Sequence, residues 1–291
     1  MLAAMRMTVS LLKLRIGFAI AASALAGMVA ANGPLPTLWQ SIGLALAVLG
    51  ASGAAGAFNH YYERDLDRLM TRTRSRPFAS GMLKASPLWP AGFMGLLLAS
   101  LALAAATGGT IAAVFVFLGA FTYGIVYTVW LKRHSVWNIV VGGLAGSFAV
   151  LAGAAAVDAS PQVVTTLLAI VLFLWTPPHF WSLAAAKGHD YTCAGVPMLP
   201  LVVPPYAWTL AILGHTVALV AISLVPIWFG KGLLYGLGAG LGGAVFIFRS
   251  WRLHREPSEH NAMKNFLASL LQLAMLITGI LIDRAAGSWP W

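Results

Sequence analysis

The sequence predicts an all-α polytopic membrane protein, with nine transmembrane helices in a single bundle and one domain over residues 1–291. Three observations predict it. The chain is 59% hydrophobic and 9% charged, whereas an ordinary soluble domain carries about 25% charged residues, so too little polar surface remains to coat a water-soluble exterior. The apolar residues fall in blocks of about 20, the length of helix that crosses hydrocarbon. The basic residues between those blocks gather on one side.

The expected spans are 12–31, 38–58, 88–107, 110–130, 137–157, 163–184, 206–229, 231–249 and 266–283. Backbone polar groups in lipid must be satisfied internally, so each span should be a helix. The Gly and Ala within them suit close helix contacts. With nine spans the connections alternate between two sides, and 16 of the 18 basic residues fall on the side of the N-terminus. Lys231 and Arg284 alone fall on the other. Positive charge marks the cytoplasmic side, so the N-terminus and the two long loops, 59–87 and 185–205, are expected in the cytoplasm of a bacterial-type inner membrane. The net charge of +10 is thus a topology signal first and implies no nucleic-acid partner. The one cysteine, Cys193, excludes an internal disulfide.

The sharpest feature is NHYYERDLDRLMTRTRSRP, residues 59–77. Three of the eight acidic residues, Glu63, Asp65 and Asp67, lie within five positions, followed by Arg68, Arg72, Arg74 and Arg76. If helix two continues past Phe58, residues four apart stack on one face. Asn59, Glu63 and Asp67 then form a ladder of hard oxygen ligands suited to Mg²⁺, while Asp65 faces elsewhere. Arg72 and Arg76, again four apart, carry planar donor forks that match phosphate oxygens. A Mg²⁺ site beside arginines is what a diphosphate leaving group needs. The plainer alternative is a solvated loop whose charges pair with one another.

Two further polar islands stand out. In WTPPHFWSLAAAKGHDY, residues 175–191, Pro177 and Pro178 are expected to interrupt helix six and open a cavity. There His179 is either a substrate contact or a buried histidine bonded to the freed carbonyls. Asp190 is a candidate second-side metal ligand, or else an ion-pair partner of Lys187. In YGIVYTVWLKRHSVWN, residues 123–138, Tyr123 and Tyr127 share a face, and Lys132 and Arg133 follow. They offer further charge to an anionic substrate, or an interfacial anchor.

N-x-x-x-E-x-x-x-D after the second helix, followed by MTRTRSRP, resembles the first acidic motif of the UbiA-type intramembrane prenyltransferases. LKRHSVWNIVVGGLAG (131–146), WTPPHFWSLA (175–184) and DYTCAGVPMLPLV (190–202) are similar to the branch that farnesylates protohaem IX. The resemblance implies transfer of farnesyl from farnesyl diphosphate to a vinyl group of haem b, and capture of water to give haem O. It implies that Asn59, Glu63 and Asp67 hold Mg²⁺, with Asp190 as the second-side acid. Arg72, Arg76, Lys132, Arg133 and Lys187 would meet the diphosphate or the haem propionates. It also implies membrane lipid as surroundings, and haem A synthase or a terminal oxidase assembly as later partners. Two departures are visible. Glu63 stands where the family pattern usually has Asp, and Asp190 lacks an acid four residues away, since residues 186 and 194 are both Ala. Competing readings are another acceptor, such as a quinone precursor or chlorophyll-type ring, and a non-catalytic transporter of haem or lipid.

Overall fold

The computed structural model describes residues 2–287, with side chains from Met7 onward; the side chain of Arg6, counted above among the cytoplasmic cations, lies outside them. Thirteen α-helices follow in chain order: α1 (Leu2–Leu11), α2 (Leu14–Ala30), α3 (Leu38–Tyr62), α4 (Arg64–Leu69), α5 (Leu88–Phe121), α6 (Asn138–Gly142), α7 (Leu144–Ala155), α8 (Val163–Ala186), α9 (Gly188–Cys193), α10 (Leu199–Val202), α11 (Pro205–Leu224), α12 (Leu233–Arg255) and α13 (Glu259–Ala285). A π-helical stretch, Thr122–Leu131, continues α5, and a 3₁₀ turn, Val225–Phe229, follows α11. The described residues contain no strand.

By length and composition, seven helical stretches among the described residues can cross a membrane, where nine spans were expected. The difference has two local causes. The first span is only the 17-residue α2, because the chain breaks at Lys13. The third and fourth spans are merged in one 44-residue stretch, Leu88–Leu131. A straight helix of that length would be about 66 Å long, twice the hydrocarbon thickness. Within it Gly109 takes φ 84°, ψ 171°, a backbone conformation that glycine reaches without a Cβ clash. The α3 start is fixed by a reciprocal cap: Thr37 Oγ1 accepts from Gln40 N–H, and Gln40 Oε1 accepts from Thr37 N–H.

The expected interruption of helix six is not found. Helix α8 runs unbroken through Pro177 and Pro178. The prolines withdraw two backbone donors, but flanking helices and local hydroxyls can hold such a segment in register. Ser182 Oγ donates to the Pro178 carbonyl at 2.6 Å.

Two devices pack the bundle without a solvent-driven core. The first is close backbone approach. A Cβ placed on Gly153 of α7 would lie 1.8 Å from the Ala24 carbonyl oxygen of α2, and one on Gly27 would lie 2.1 Å from that of Val150. Only glycine permits this crossing, and close approach is what drives helix association in lipid. The second is a buried polar chain across four helices. Asn265 Nδ2 donates to Ser182 Oγ at 2.9 Å, Ser250 Oγ donates to Asn265 Oδ1 at 2.9 Å, and Thr216 and Ser250 hydroxyls lie 3.0 Å apart. All four residues are fully buried, where unpaired polar groups would be costly.

Candidate active site

The acidic ladder forms, though helix α3 does not simply continue. It ends at Tyr62, and α4 begins at Arg64. Glu63 between them has φ −93°, ψ 13°. The four-residue spacing survives the break, because Glu63 N–H donates to the Asn59 carbonyl at 2.9 Å and Asp67 N–H to the Glu63 carbonyl at 2.8 Å. Asn59, Glu63 and Asp67 are each at most 1% exposed. Acidic side chains so deeply buried need partners.

Each rung has a cation. Lys13 Nζ donates to Asn59 Oδ1 at 2.5 Å and to the Tyr123 hydroxyl at 2.7 Å. Lys132 pairs with Glu63 Oε2. Arg76 Nη1 bridges both oxygens of Asp67 at 2.8 and 2.9 Å. The Asn59 amide in turn donates to Thr128 Oγ1 at 3.0 Å. Three cations from three separate parts of the chain therefore converge on one face of α3–α4. The other ladder oxygen, Glu63 Oε1, is buried without a protein donor, as are both ring nitrogens of the neighbouring His60. An oxygen-only ladder with a buried oxygen left open has the donor chemistry for Mg²⁺.

Local structure explains how these cations arrive. Lys13 has φ 49°, ψ 39°, the one positive φ outside glycine among the described residues. Strain of about 1–3 kcal/mol at such a residue needs support elsewhere. The support includes Gly56, where a Cβ would come 3.3 Å from Lys13 Cδ. Tyr123 and Tyr127 stack 5.7 Å apart at 13° on the π-helical stretch, a helix form that recurs at functional sites. Lys132 Nζ lies 5.7 Å from the Tyr127 ring centre.

The remaining expected residues divide. Asp65 does face away, and Arg133 binds it through two 2.8 Å hydrogen bonds, which hold its carboxyl below the usual range. Arg72 and Lys187 are exposed. His179 is buried in an aromatic box, its ring 4.2 Å from Trp175 and 4.5 Å from Phe266, with Nδ1 2.7 Å from Ser269 Oγ. Its bond is to a hydroxyl of α13 rather than to a carbonyl freed by the prolines. Asp190 forms no ion pair with Lys187 among the described residues. Its two oxygens accept the N–H groups of Thr71 at 2.9 Å and Arg72 at 3.3 Å. Burial raises its pKa, and the hydrogen bonds from Thr71 and Arg72 together with the Arg72 charge bring it below the usual carboxylate value.

Sequence reading missed Lys13, Thr128 and Asn138. Asn138 Nδ2 donates to the carbonyls of Ser135 at 2.6 Å and Pro197 at 3.1 Å, tying two loops together. Beyond Tyr123, toward the bundle interior, an apolar cavity of about 50 Å³ is lined by Val48, Ala51, Ala55, Phe115, Gly119 and Tyr123 among others.

A buried oxygen ladder ringed by cations stands at one end of a helical bundle, and residues 20–276 match the UbiA prenyltransferase family. The chain belongs to that family. It is 53% identical over 283 residues to "Protoheme IX farnesyltransferase 2" of Paramagnetospirillum magneticum, covering 97% of this chain and 98% of that protein. It is 36% identical to "Protoheme IX farnesyltransferase 1" of Cenarchaeum symbiosum, covering 88% and 86%. Among solved structures, a UbiA homologue from Archaeoglobus fulgidus bound to GPP and Mg²⁺ superposes with a TM-score of 0.69 at 16% identity, covering 94% of this chain and 99% of that one. A UbiA homologue from Aeropyrum pernix gives 0.70 at 21% identity, covering 92% and 97%. At these identities the two structures speak to the fold alone.

Proposed function

We propose that this membrane enzyme transfers the farnesyl group of farnesyl diphosphate to a vinyl group of haem b, giving haem O. The observation that carries the reading is the pairing of each ladder rung, Asn59, Glu63 and Asp67, with a buried or half-buried cation. Names carried by relatives along nearly the whole chain agree with it.

Asn59, Glu63 and Asp67 would hold Mg²⁺, which neutralises the diphosphate and favours its departure. Lys13, Lys132 and Arg76 are the donors within reach of that diphosphate. They exchange ladder oxygens for phosphate oxygens and hold the charge that grows as the C1–O bond breaks. The stacked faces of Tyr123 and Tyr127 border the allylic cation left behind. The cavity below Tyr123 receives the start of the prenyl chain. The vinyl group then attacks the allylic carbon, water adds to the cation formed on the haem side chain, and one proton leaves. Farnesyl diphosphate, haem b and water thus balance haem O and diphosphate.

The exposed Arg72 and Lys187 and the half-buried Arg133 are the residues we assign to the haem propionates at the rim. Asp190 acts on the ladder side through the loop it holds, and His179 forms part of the apolar wall between α8 and α13. The site faces the cytoplasm of a bacterial-type membrane, on the side that carries the basic loops. Haem O leaves toward haem A synthase or terminal oxidase assembly. The test is purified protein in detergent with Mg²⁺, haem b and farnesyl diphosphate, with the porphyrin products read by mass spectrometry. The expected product is haem O; unchanged haem b, with the farnesyl group appearing on an added quinone precursor, would overturn the assignment of the acceptor.

A further inference from the structure

We infer that Asp190 is a positioning residue that sets the arginine loop against the ladder, and that it is not a metal ligand. The inference rests on the reading of the ladder above. Three observations carry it.

The first is how Asp190 is used. Residues 70–76 form a tight turn series, in which the Met70 carbonyl accepts from Thr73 N–H at 3.1 Å and Arg74 N–H at 2.9 Å, and the Thr73 carbonyl accepts from Arg76 N–H at 2.9 Å. Such a series leaves the N–H groups of its first residues without partners inside the turn, as at any helix start. Here those are Thr71 and Arg72, and the two oxygens of Asp190 accept one each. Asp190 is thus an N-cap delivered from 118 residues away.

The second is what lies at the far end of that turn. Arg76 reaches both oxygens of Asp67, and Thr73, 2% exposed, donates through Oγ1 to the Asp67 carbonyl at 3.1 Å. The turn therefore links Asp190 to the last rung of the ladder through covalent and hydrogen bonds. The same two loops also pack through a buried cluster that includes Met70, Tyr191 and Met198.

The third is the absence of company. Asp190 has no second acid on its own segment to share a metal with, and both of its oxygens already accept backbone N–H groups. Residues 186 and 194, four positions away on either side, are both alanine.

The test uses the full chain in detergent and needs no haem. Three proteins are compared: wild type, Asp190→Asn, and Thr71→Pro. Asp190→Asn removes one of the two acceptors. Thr71→Pro removes one N–H donor and leaves the carboxylate intact; Met70 before it already has φ −100°, ψ 126°, which a residue preceding proline favours. Binding of Mn²⁺ is followed by electron paramagnetic resonance with a non-hydrolysable farnesyl diphosphate analogue present. Trypsin cleavage after Arg72 and Arg74 reports loop release.

A positioning role predicts faster cleavage in both variants, by about tenfold, the worth of one hydrogen bond to a charged acceptor. It predicts unchanged Mn²⁺ stoichiometry in both. A raised KM for farnesyl diphosphate should accompany this, with kcat less affected, and Thr71→Pro should behave like Asp190→Asn. Loss of a bound Mn²⁺ in Asp190→Asn, with wild-type cleavage and wild-type behaviour of Thr71→Pro, would overturn the inference. If Asp190→Asn does not fold, Thr71→Pro still decides: cleavage at the wild-type rate refutes the clamp. Failure of all three proteins to bind Mn²⁺ would instead refute the metal ladder.

Discussion

Lys13 donates a 2.5 Å hydrogen bond to Asn59 across 46 positions of sequence, from a backbone held at φ 49°. A strained lysine thus sits at the break between two helices and is aimed at the first rung of the acidic ladder, and such strain clusters at functional sites. Replacing it with methionine keeps the stem and removes the charge. We expect kcat/KM for farnesyl diphosphate to fall by about a hundredfold or more, the loss typical for one preorganised donor to a developing anion. Steady-state kinetics on Lys13→Met would check it, and a loss below fivefold would remove Lys13 from the reaction.

Arg76 and Asp67 form a salt bridge whose acid is nearly fully buried. Arg76→Leu would leave that carboxylate without its partner, and breaking a buried pair in this way costs about 3–5 kcal/mol. Because a single nitrogen bridges both oxygens, Arg76→Lys should recover most of the stability. It should not recover diphosphate recognition, where the planar fork matters. Thermal unfolding and KM, measured on both variants, separate the two roles.

The α2–α7 crossing predicts sharp intolerance at one position. Gly153→Ala would put a Cβ 1.8 Å from a backbone carbonyl, so the helices must separate, at a cost of about 1–3 kcal/mol or more. Gly214→Ala meets nothing within 4 Å and serves as the control. Melting temperatures in the same detergent should fall for the first and stay level for the second.

The cavity below Tyr123 predicts chain selectivity. A Cβ at Gly119 meets nothing nearer than 3.5 Å, so Gly119→Leu should fold while filling the space. We expect kcat/KM for farnesyl diphosphate to fall about 10–200-fold, as for a methylene-scale misfit in an apolar pocket. Geranyl diphosphate should lose less. Competition between the two diphosphates gives the ratio directly, and an unchanged ratio would place the chain elsewhere.

Much of the site could be read from sequence, for reasons that differ by residue. Asn59, Glu63 and Asp67 were visible because scarce acids at a spacing of four mark one helix face whatever the fold. Asp65 was separable from them by the same geometry. Lys13 was not visible, because its partners lie 46 and 110 residues away and a basic residue before a first span reads as a topology marker. The capping use of Asp190 was hidden for the same reason: a carboxylate that binds backbone N–H groups leaves no side-chain partner to find. The unbroken α8 shows the opposite error. Proline is a strong local signal, and in a packed membrane bundle the neighbouring helices overrule it. The boundary expected between spans 88–107 and 110–130 is carried in the fused Leu88–Leu131 stretch by Gly109 alone, the one residue there with non-helical dihedrals.

We propose that the ladder serves metal-assisted loss of diphosphate. Its most direct test is release of diphosphate from farnesyl diphosphate by purified protein with haem b present, in Mg²⁺ and in excess chelator, for wild type and Asp67→Ala. Wild type with Mg²⁺ should give haem O and diphosphate in equal amounts, and chelated wild type and Asp67→Ala should give neither product beyond about 1% of that rate. Haem O formed at the full rate by Asp67→Ala, or by wild type in chelator, would contradict it.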